Sequence, residues 1–536
     1  MEKKIRAGLF IFLMALALFF CVNKQGFFLD ELYSYGLSNS VVSGDIIHLG
    51  VENTLSPKAL FLDYLTVNAG EGFSYWPVIK NQIQDVHPPL YYLLLHTLSS
   101  FFPGSFSKWQ GLGLNLCFYL GSLVLFYALA GKIFKKEAWV LGALACYGLL
   151  PATLSNVIYI RMYVLLTFFT LLLAWLHVKF LQKPHIPYGA GIFLTMALGY
   201  CTQYYFVITA FYFGLASTWY FWRKKRGRDF MMYALSMGGG LLFGLALFPY
   251  IFSQLFGQNT YLTDAMSGGV IQKMVMGGIS FLSNINYGFF GKSGLALCLF
   301  YMGILLFAAA RRQFKKGQEP ISPWILALLW ILPLNVLTLL LINWIPASRY
   351  YYHLFPFFVL TGIYCLRKIL HFLLSKGSRT PYYVLFVLAF VLAVLRGYSL
   401  SLFPSSEAAA APVEYLYPDQ GKITHILKQG DTGVLVLTNQ NAAMTESLQE
   451  LSLSPFSYIG EEQNLEKGIL ELHQKGFTKI LLCLDQQYLK KQEISWEEVA
   501  KRLEGLGLIQ IQYLFSRNLC QGSLWGPLMP GESAPP

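Results

Sequence analysis

Apolar runs of about 17 to 25 residues recur from Ala7 to Leu402, and each is long enough to cross roughly 30 Å of hydrocarbon as a helix. The chain of 536 residues is 55% hydrophobic and 13% charged, with a mean hydropathy of +0.48, which is the composition of an integral membrane protein. The first run starts basic (Lys3, Lys4, Arg6) and has no small-residue cleavage site before Asn23. It reads as an uncleaved first span, with a secretory signal as the lesser alternative.

After Gly397 the character changes. From there on, ten Lys and Arg stand against sixteen Asp and Glu, so this tail carries −6 and the part before it +18. That basicity belongs to membrane topology, and no nucleic-acid partner is indicated. The eight cysteines mostly lie singly inside apolar runs with no C-x-x-C spacing, which points to neither zinc nor a disulfide framework. Cys483 and Cys520 would pair only in an oxidising compartment.

Most Lys and Arg of the membrane part fall in six short segments: the N-terminus, Lys132 to Lys136, Lys179 to Lys183, Arg223 to Arg228, Arg311 to Lys316 and Arg367 to Arg379. The positive-inside rule puts all six in the cytoplasm. About eleven spans satisfy that constraint, near 7–23, 107–131, 138–155, 162–180, 188–203, 204–222, 229–256, 294–310, 322–342, 350–368 and 381–402. The apolar stretch Pro89 to Phe102 is too short for a comfortable crossing and reads as a re-entrant or interfacial helix, with a short true span as the alternative.

The fold class expected is therefore a polytopic α-helical membrane protein with a small C-terminal extracytoplasmic α/β domain. Residues 1–402 form the membrane module, with large outer loops near 24–88 and 257–293. A linker follows at 403–421, the α/β domain at 422–520 and a disordered tail at 521–536. Within the α/β domain, Val434 to Leu437 and Ile480 to Leu484 read as buried strands, flanked by helices near 442–452, 463–475 and 495–505. No Gly-rich phosphate loop is present, so no nucleotide is assigned.

This topology gathers polar residues on the outer face: Asp30, Glu31, Asp45, Glu52, Asp63, Glu71, Asp85 and Asp264, with Arg161, Lys273, Lys292 and Arg349. Four motifs stand out there. Leu29-Asp30-Glu31 follows the first span. Its simplest reading is that Asp30 caps a helix or that Glu31 pairs with a nearby lysine. Adjacent helical residues point about 100° apart, so at most one of these carboxylates touches a reacting centre. Asp85-Val86-His87-Pro88-Pro89-Leu90 places two prolines at a helix start. Tyr159-Ile160-Arg161-Met162-Tyr163 and Ala347-Ser348-Arg349-Tyr350 each put an arginine at the outer start of a span. These arginines either anchor lipid headgroups in an Arg/Tyr belt or grip an anionic ligand, since guanidinium matches phosphate bidentately. Gln203, Tyr204, Tyr205, Tyr261, Asn284 and Asn286 lie on the same face, where a structural reading is favoured.

In order and spacing, these motifs resemble the C-type membrane glycosyltransferases of family 39, the group of dolichyl-phosphate-mannose protein mannosyltransferases and aminoarabinose transferases. Leu29-Asp30-Glu31 matches its acidic motif, His87 to Leu90 its His-Pro-Pro-Leu segment and Arg161-Met162-Tyr163 its Arg-x-Tyr, over about 400 residues. The resemblance implies a lipid-phosphate-linked sugar donor, transfer at the outer face of the plasma membrane by a hexosyl- or pentosyltransferase, and Asp30 acting on the acceptor with Glu31 as its neighbour. Gln203 stands where relatives often carry a histidine, and the α/β tail differs from the β-trefoil of eukaryotic protein mannosyltransferases. The acceptor group, a hydroxyl with an amine or phosphate as alternatives, therefore stays open between glycan, lipid and protein.

Chemistry points the same way. A polyprenyl phosphate is already a good leaving group, so one base and cations for the departing phosphate suffice. The expected set is Asp30 as base, Arg161 and Arg349 on the phosphate, and Asp85, His87, Tyr163 and Tyr350 around the substrate. No metal or other cofactor is required, and membrane lipids surround the chain. The rival class is a transporter or lipid flippase, which would favour mid-span charges and inverted repeats, and neither is found.

Overall fold

The computed structural model describes residues 2–42, 44–256, 270–290, 323–342, 347–374 and 413–527. The chain divides into two compact units, each drawn from separated stretches. Met1–Val22, Val86–Tyr91 and Leu112–Glu414 form the first, and Asn23–Asp85, Tyr92–Gly111 and Tyr415–Pro536 the second. Asp264, Tyr261, Lys292 and the spans expected near 294–310 and 381–402 lie outside the described residues, as does most of the linker.

The described residues of the first unit are mainly helical. Among the described residues, four helices are long and apolar enough to cross a membrane: Glu2–Asn23, Lys108–Ile133, Tyr163–Gln182 and Gly227–Leu247. A fifth crossing results if Glu137–Leu149 and Pro151–Ile158 count as one span bent by 54°. The bend falls where Pro151 removes the N–H that would continue the helical ladder. Helices also form at four further stretches where spans are expected, Ile186–Tyr200, Tyr205–Arg223, Pro323–Ile342 and Phe355–Leu374. The last of these starts later than expected, because Ser348–Leu354 winds as a 3-10 helix.

Small residues let two of these helices touch backbone to backbone. A Cβ on Gly240 would collide with the Phe193 carbonyl oxygen, and one on Gly244 would press on Ala197. This Gly-x-x-x-Gly face seats Gly227–Leu247 against Ile186–Tyr200 by close packing, the attraction left to helices when the solvent is itself apolar.

The second unit is built on a six-stranded sheet in the order β1-β3-β2-β4-β6-β5. Its strands are β1 (Thr54–Pro57), β2 (Thr432–Leu437), β3 (Phe456–Gly460), β4 (Lys479–Asp485), β5 (Leu508–Ser516) and β6 (Cys520–Pro527). β2 pairs parallel with β3 and with β4, and the remaining pairs are antiparallel. The two apolar runs read from sequence are the central strands, buried on both faces as such runs require. The expected helices are also present, as Asn441–Glu446 with Leu448–Leu451, Leu465–Gln474 and Trp496–Gly505. Ser495 caps the last by accepting the Glu498 N–H, while Glu498 accepts the Ser495 N–H.

Two expectations change here. The segment from residue 521 is ordered as far as Pro527, because Gln521 to Pro527 form β6, which pairs β4 on one side and β5 on the other. Gly522, Gly526 and Pro527 mask it in sequence, since these residues are depleted from strands. The sheet also recruits β1 from the stretch expected to form the first large loop, with Leu55 opposite Tyr458. Cys483 and Cys520, on neighbouring strands, are both free and buried.

The Leu29–Asn39 helix belongs to this second unit. It lies close against Lys58–Leu65, where a Cβ on Gly36 would land on the ring of Tyr64, whose hydroxyl donates to the Gly44 carbonyl at 2.7 Å.

Candidate functional site

In the second unit, the acidic pair occupies the first turn of Leu29–Asn39, where carboxylates complement the positive helix end. The two residues diverge at once. Glu31 is fully buried, and its Oε2 accepts from Lys24 Nζ at 2.9 Å and from the Phe28 N–H at 2.6 Å. It is therefore a helix cap and half of an ion pair. Lys24 also donates to the Tyr415 carbonyl at 2.8 Å, and Gln25 N–H to Leu416 at 2.8 Å. Gln449 completes the hold by accepting the Phe27 N–H at 3.2 Å. Asp30 is half-buried, and its carbonyl accepts from the Ser34 hydroxyl at 3.0 Å.

Asp85 closes the helix Tyr75–Gln84 and is half-buried in the same unit. The Tyr33 phenol is pushed up to about 12, first by burial and then by the negative charges of Asp45, Asp30 and Asp85; a hydrogen bond with Thr445 works against them. Three carboxylates thus act on one hydroxyl. Asn441 tethers this cluster, its amide lying 3.2 Å from the Tyr33 hydroxyl and 2.8 Å from Asp45 Oδ1.

In the first unit, the two arginine motifs are neighbours despite the sequence between them. Arg161 is only 5% exposed, which is not the setting of a residue anchoring lipid headgroups at a free surface. It follows a tight turn in which its N–H reaches the Tyr159 carbonyl at 2.7 Å. Tyr163 opens the next helix, with its ring centre 5.9 Å from Tyr159 and 6.3 Å from Tyr350. The Arg349 guanidinium sits 5.3 Å from the centre of the Tyr350 ring, which also meets Tyr205 at 5.5 Å. His87 is half-buried just before Pro88 and Pro89, and Leu90 N–H bonds the Cys201 carbonyl at 2.9 Å.

Two residues that sequence reasoning passed over brace this aromatic and cationic group. Asn115 donates to the Val157 and Tyr159 carbonyls at 3.0 and 2.7 Å and lies 3.4 Å from the Tyr91 hydroxyl. A buried amide inside a span was the available signal. Glu414 accepts from the Ser348 hydroxyl at 3.0 Å and the Tyr352 hydroxyl at 3.2 Å, while its N–H donates to Ser155 Oγ at 2.9 Å. Nothing local in sequence marks it. Among the described residues, no group of three or more His, Cys, Asp or Glu side chains is arranged to hold a metal ion.

No protein-family model matches the chain, and no curated protein matches it. Among solved structures it is similar to ArnT from Cupriavidus metallidurans. The form bound to undecaprenyl phosphate aligns at 13% identity and a TM-score of 0.46, covering 96% of this chain and 98% of that one. The apo form aligns at 13% identity and a TM-score of 0.45, covering 97% and 98%. At this level of likeness, the function has to be read from the chain's own side chains.

Proposed function

We propose that the protein is a multi-pass plasma-membrane glycosyltransferase that moves a sugar from a polyprenyl-phosphate donor to an acceptor hydroxyl at the outer face. The observation that carries this reading is the pairing of Arg161-Met162-Tyr163 with Arg349-Tyr350 in one unit, with the Tyr163 and Tyr350 rings 6.3 Å apart. Two arginine motifs whose tyrosine rings meet, with the Arg349 guanidinium over the Tyr350 ring, suit a phosphate that gains charge as it leaves. Asp30 is assigned the acceptor proton and Glu31 the task of holding Asp30's helix in place. Asp85 and His87 are assigned to the substrate, and the phosphate leaves without the help of a metal.

In this mechanism the acceptor oxygen attacks the anomeric carbon, Asp30 takes its proton and the sugar–phosphate bond breaks with the electron pair passing to the phosphate. Attack opposite the phosphate inverts the anomeric centre. The acceptor is a hydroxyl of a glycan, lipid or protein. Purified protein incubated with radiolabelled polyprenyl-phosphate sugars and membrane fractions should yield a labelled acceptor. Label that crosses vesicle membranes without covalent transfer would instead indicate a transporter or flippase.

A further inference from the structure

A cavity of about 740 Å³ lies within the first unit, among the helices Lys108–Ile133, Tyr163–Gln182, Tyr205–Arg223, Pro323–Ile342 and Phe355–Leu374. Its deep wall is apolar, formed by Ala174, Phe213, Leu328, Ile331 and Phe357. The one imidazole on that wall, His177, is already engaged, with Nδ1 2.8 Å from the Leu173 carbonyl and Nε2 on the Tyr233 hydroxyl. Among the described residues that line it, the charged ones are Lys132 and Arg226, at one end.

That end is where three helices finish and a fourth begins. Lys132 closes Lys108–Ile133, Gln182 closes Tyr163–Gln182, Tyr220 stands in the last turn of Tyr205–Arg223, and Arg226 precedes Gly227–Leu247. These ends coincide with three of the basic segments that the charge rule assigns to the cytoplasm. Arg226 is steadied by Asp229 Oδ2 at 2.7 Å and by the Leu181 carbonyl at 3.3 Å. Asp229 is the one acid near the mouth on that segment, against Arg223, Lys224, Lys225, Arg226 and Arg228. The cavity is thus an apolar slot with a cationic mouth at a membrane surface.

We infer that this slot holds an acyl chain of an anionic glycerophospholipid, with the lipid phosphate at Lys132 and Arg226. The volume falls within the roughly 300–1,000 Å³ of ordinary ligand sites. Basic pockets between spans on the cytoplasmic side suit anionic headgroups, whereas a zwitterionic headgroup gains little from a mouth this positive. Trp219 and Trp330 line the slot and are exposed, the amphipathic rings favoured beside headgroups. The site is separate from the one assigned to the donor phosphate. Tyr163–Gln182 has 20 residues, so its Tyr163 end and its Gln182 end are about 30 Å apart.

The test is native mass spectrometry of the full-length protein after incubation with phosphatidylcholine vesicles that contain phosphatidylglycerol. Retained phosphatidylglycerol is expected on the wild type. Lys132→Glu, which reverses the mouth charge, and Ala216→Trp, which fills the slot, should each cut retention roughly tenfold, the size of one charge-assisted contact. If Ala216→Trp lowers the yield of folded protein, Ala174→Leu carries the same expectation. Equal retention of phosphatidylcholine, full retention in both kinds of variant, or a polyprenyl phosphate as the retained lipid would each overturn the assignment.

Discussion

Lys24 and Glu31 form an ion pair 2.9 Å long in which both side chains are fully buried. Removing one partner leaves an uncompensated charge in the interior, at a cost of about 3–5 kcal/mol. Glu31→Ala should therefore lower the unfolding temperature and the yield of folded protein. Asp30→Asn, one residue away but half-buried, should leave both near wild type and abolish transfer. Thermal unfolding in detergent, run beside the transfer assay, checks the pair, and near-normal turnover in Asp30→Asn would remove the base assignment.

Arg161 and Arg349 are assigned to the donor phosphate. Loss of a charge-assisted hydrogen bond is worth about 1.5–3 kcal/mol, or roughly 10- to 100-fold in apparent KM for the lipid donor. Arg349→Ala should show this rise, and Arg161→Lys should recover little, because lysine lacks the planar fork. A change in protein abundance alone would make both residues structural and remove them from the donor site.

Glu414 holds Ser348 and Tyr352, the neighbours of Arg349 and Tyr350 on the 3-10 helix. Glu414→Ala should raise the donor KM several-fold with a smaller change in kcat, and Glu414→Gln, which still accepts hydrogen bonds, should recover most of it. Equal losses in both variants, confined to kcat, would rule out a positioning role.

A metal-free mechanism predicts that transfer persists in EDTA. Activity lost in chelator and restored by magnesium or manganese would show that the phosphate needs a cation beyond the two arginines.

The Lys479 ammonium, 2.9 Å from Asp431, holds that carboxyl below its ordinary value, with burial opposing and Thr432 assisting. A carboxylate depressed in the folded state stabilises it above the ordinary aspartate range and loses that contribution as pH falls toward the depressed value. The pair is partly exposed, so the effect is small. The protection factors of the β2 and β4 amides, which correct for the pH dependence of intrinsic exchange, should fall on acidification through this window in the wild type, and less so in Asp431→Asn.

Much of this architecture is local information. Hydrocarbon thickness selects apolar runs, so the long apolar helices among the described residues, the central strands β2 and β4 and the acidic and arginine motifs were legible in the amino-acid order. The weak strands were not. β6 carries two glycines and a proline, and β1 pairs with a strand in the tail, so only the partner strands reveal them.

The sequence by itself determined that Asp30 and Glu31 stand just beyond the first span and that two arginines open later helices. The tertiary structure decided what each is for. Glu31 went to Lys24 because the chain folds both into the interior, where an ionised carboxylate demands a partner. The two arginine motifs came together, Tyr163 beside Tyr350, because the helix that starts at Tyr163 packs against the 3-10 helix of Tyr350. Adjacency in sequence fixes only direction along a helix; adjacency in space comes from which faces bury against each other, and no spacing rule encodes that.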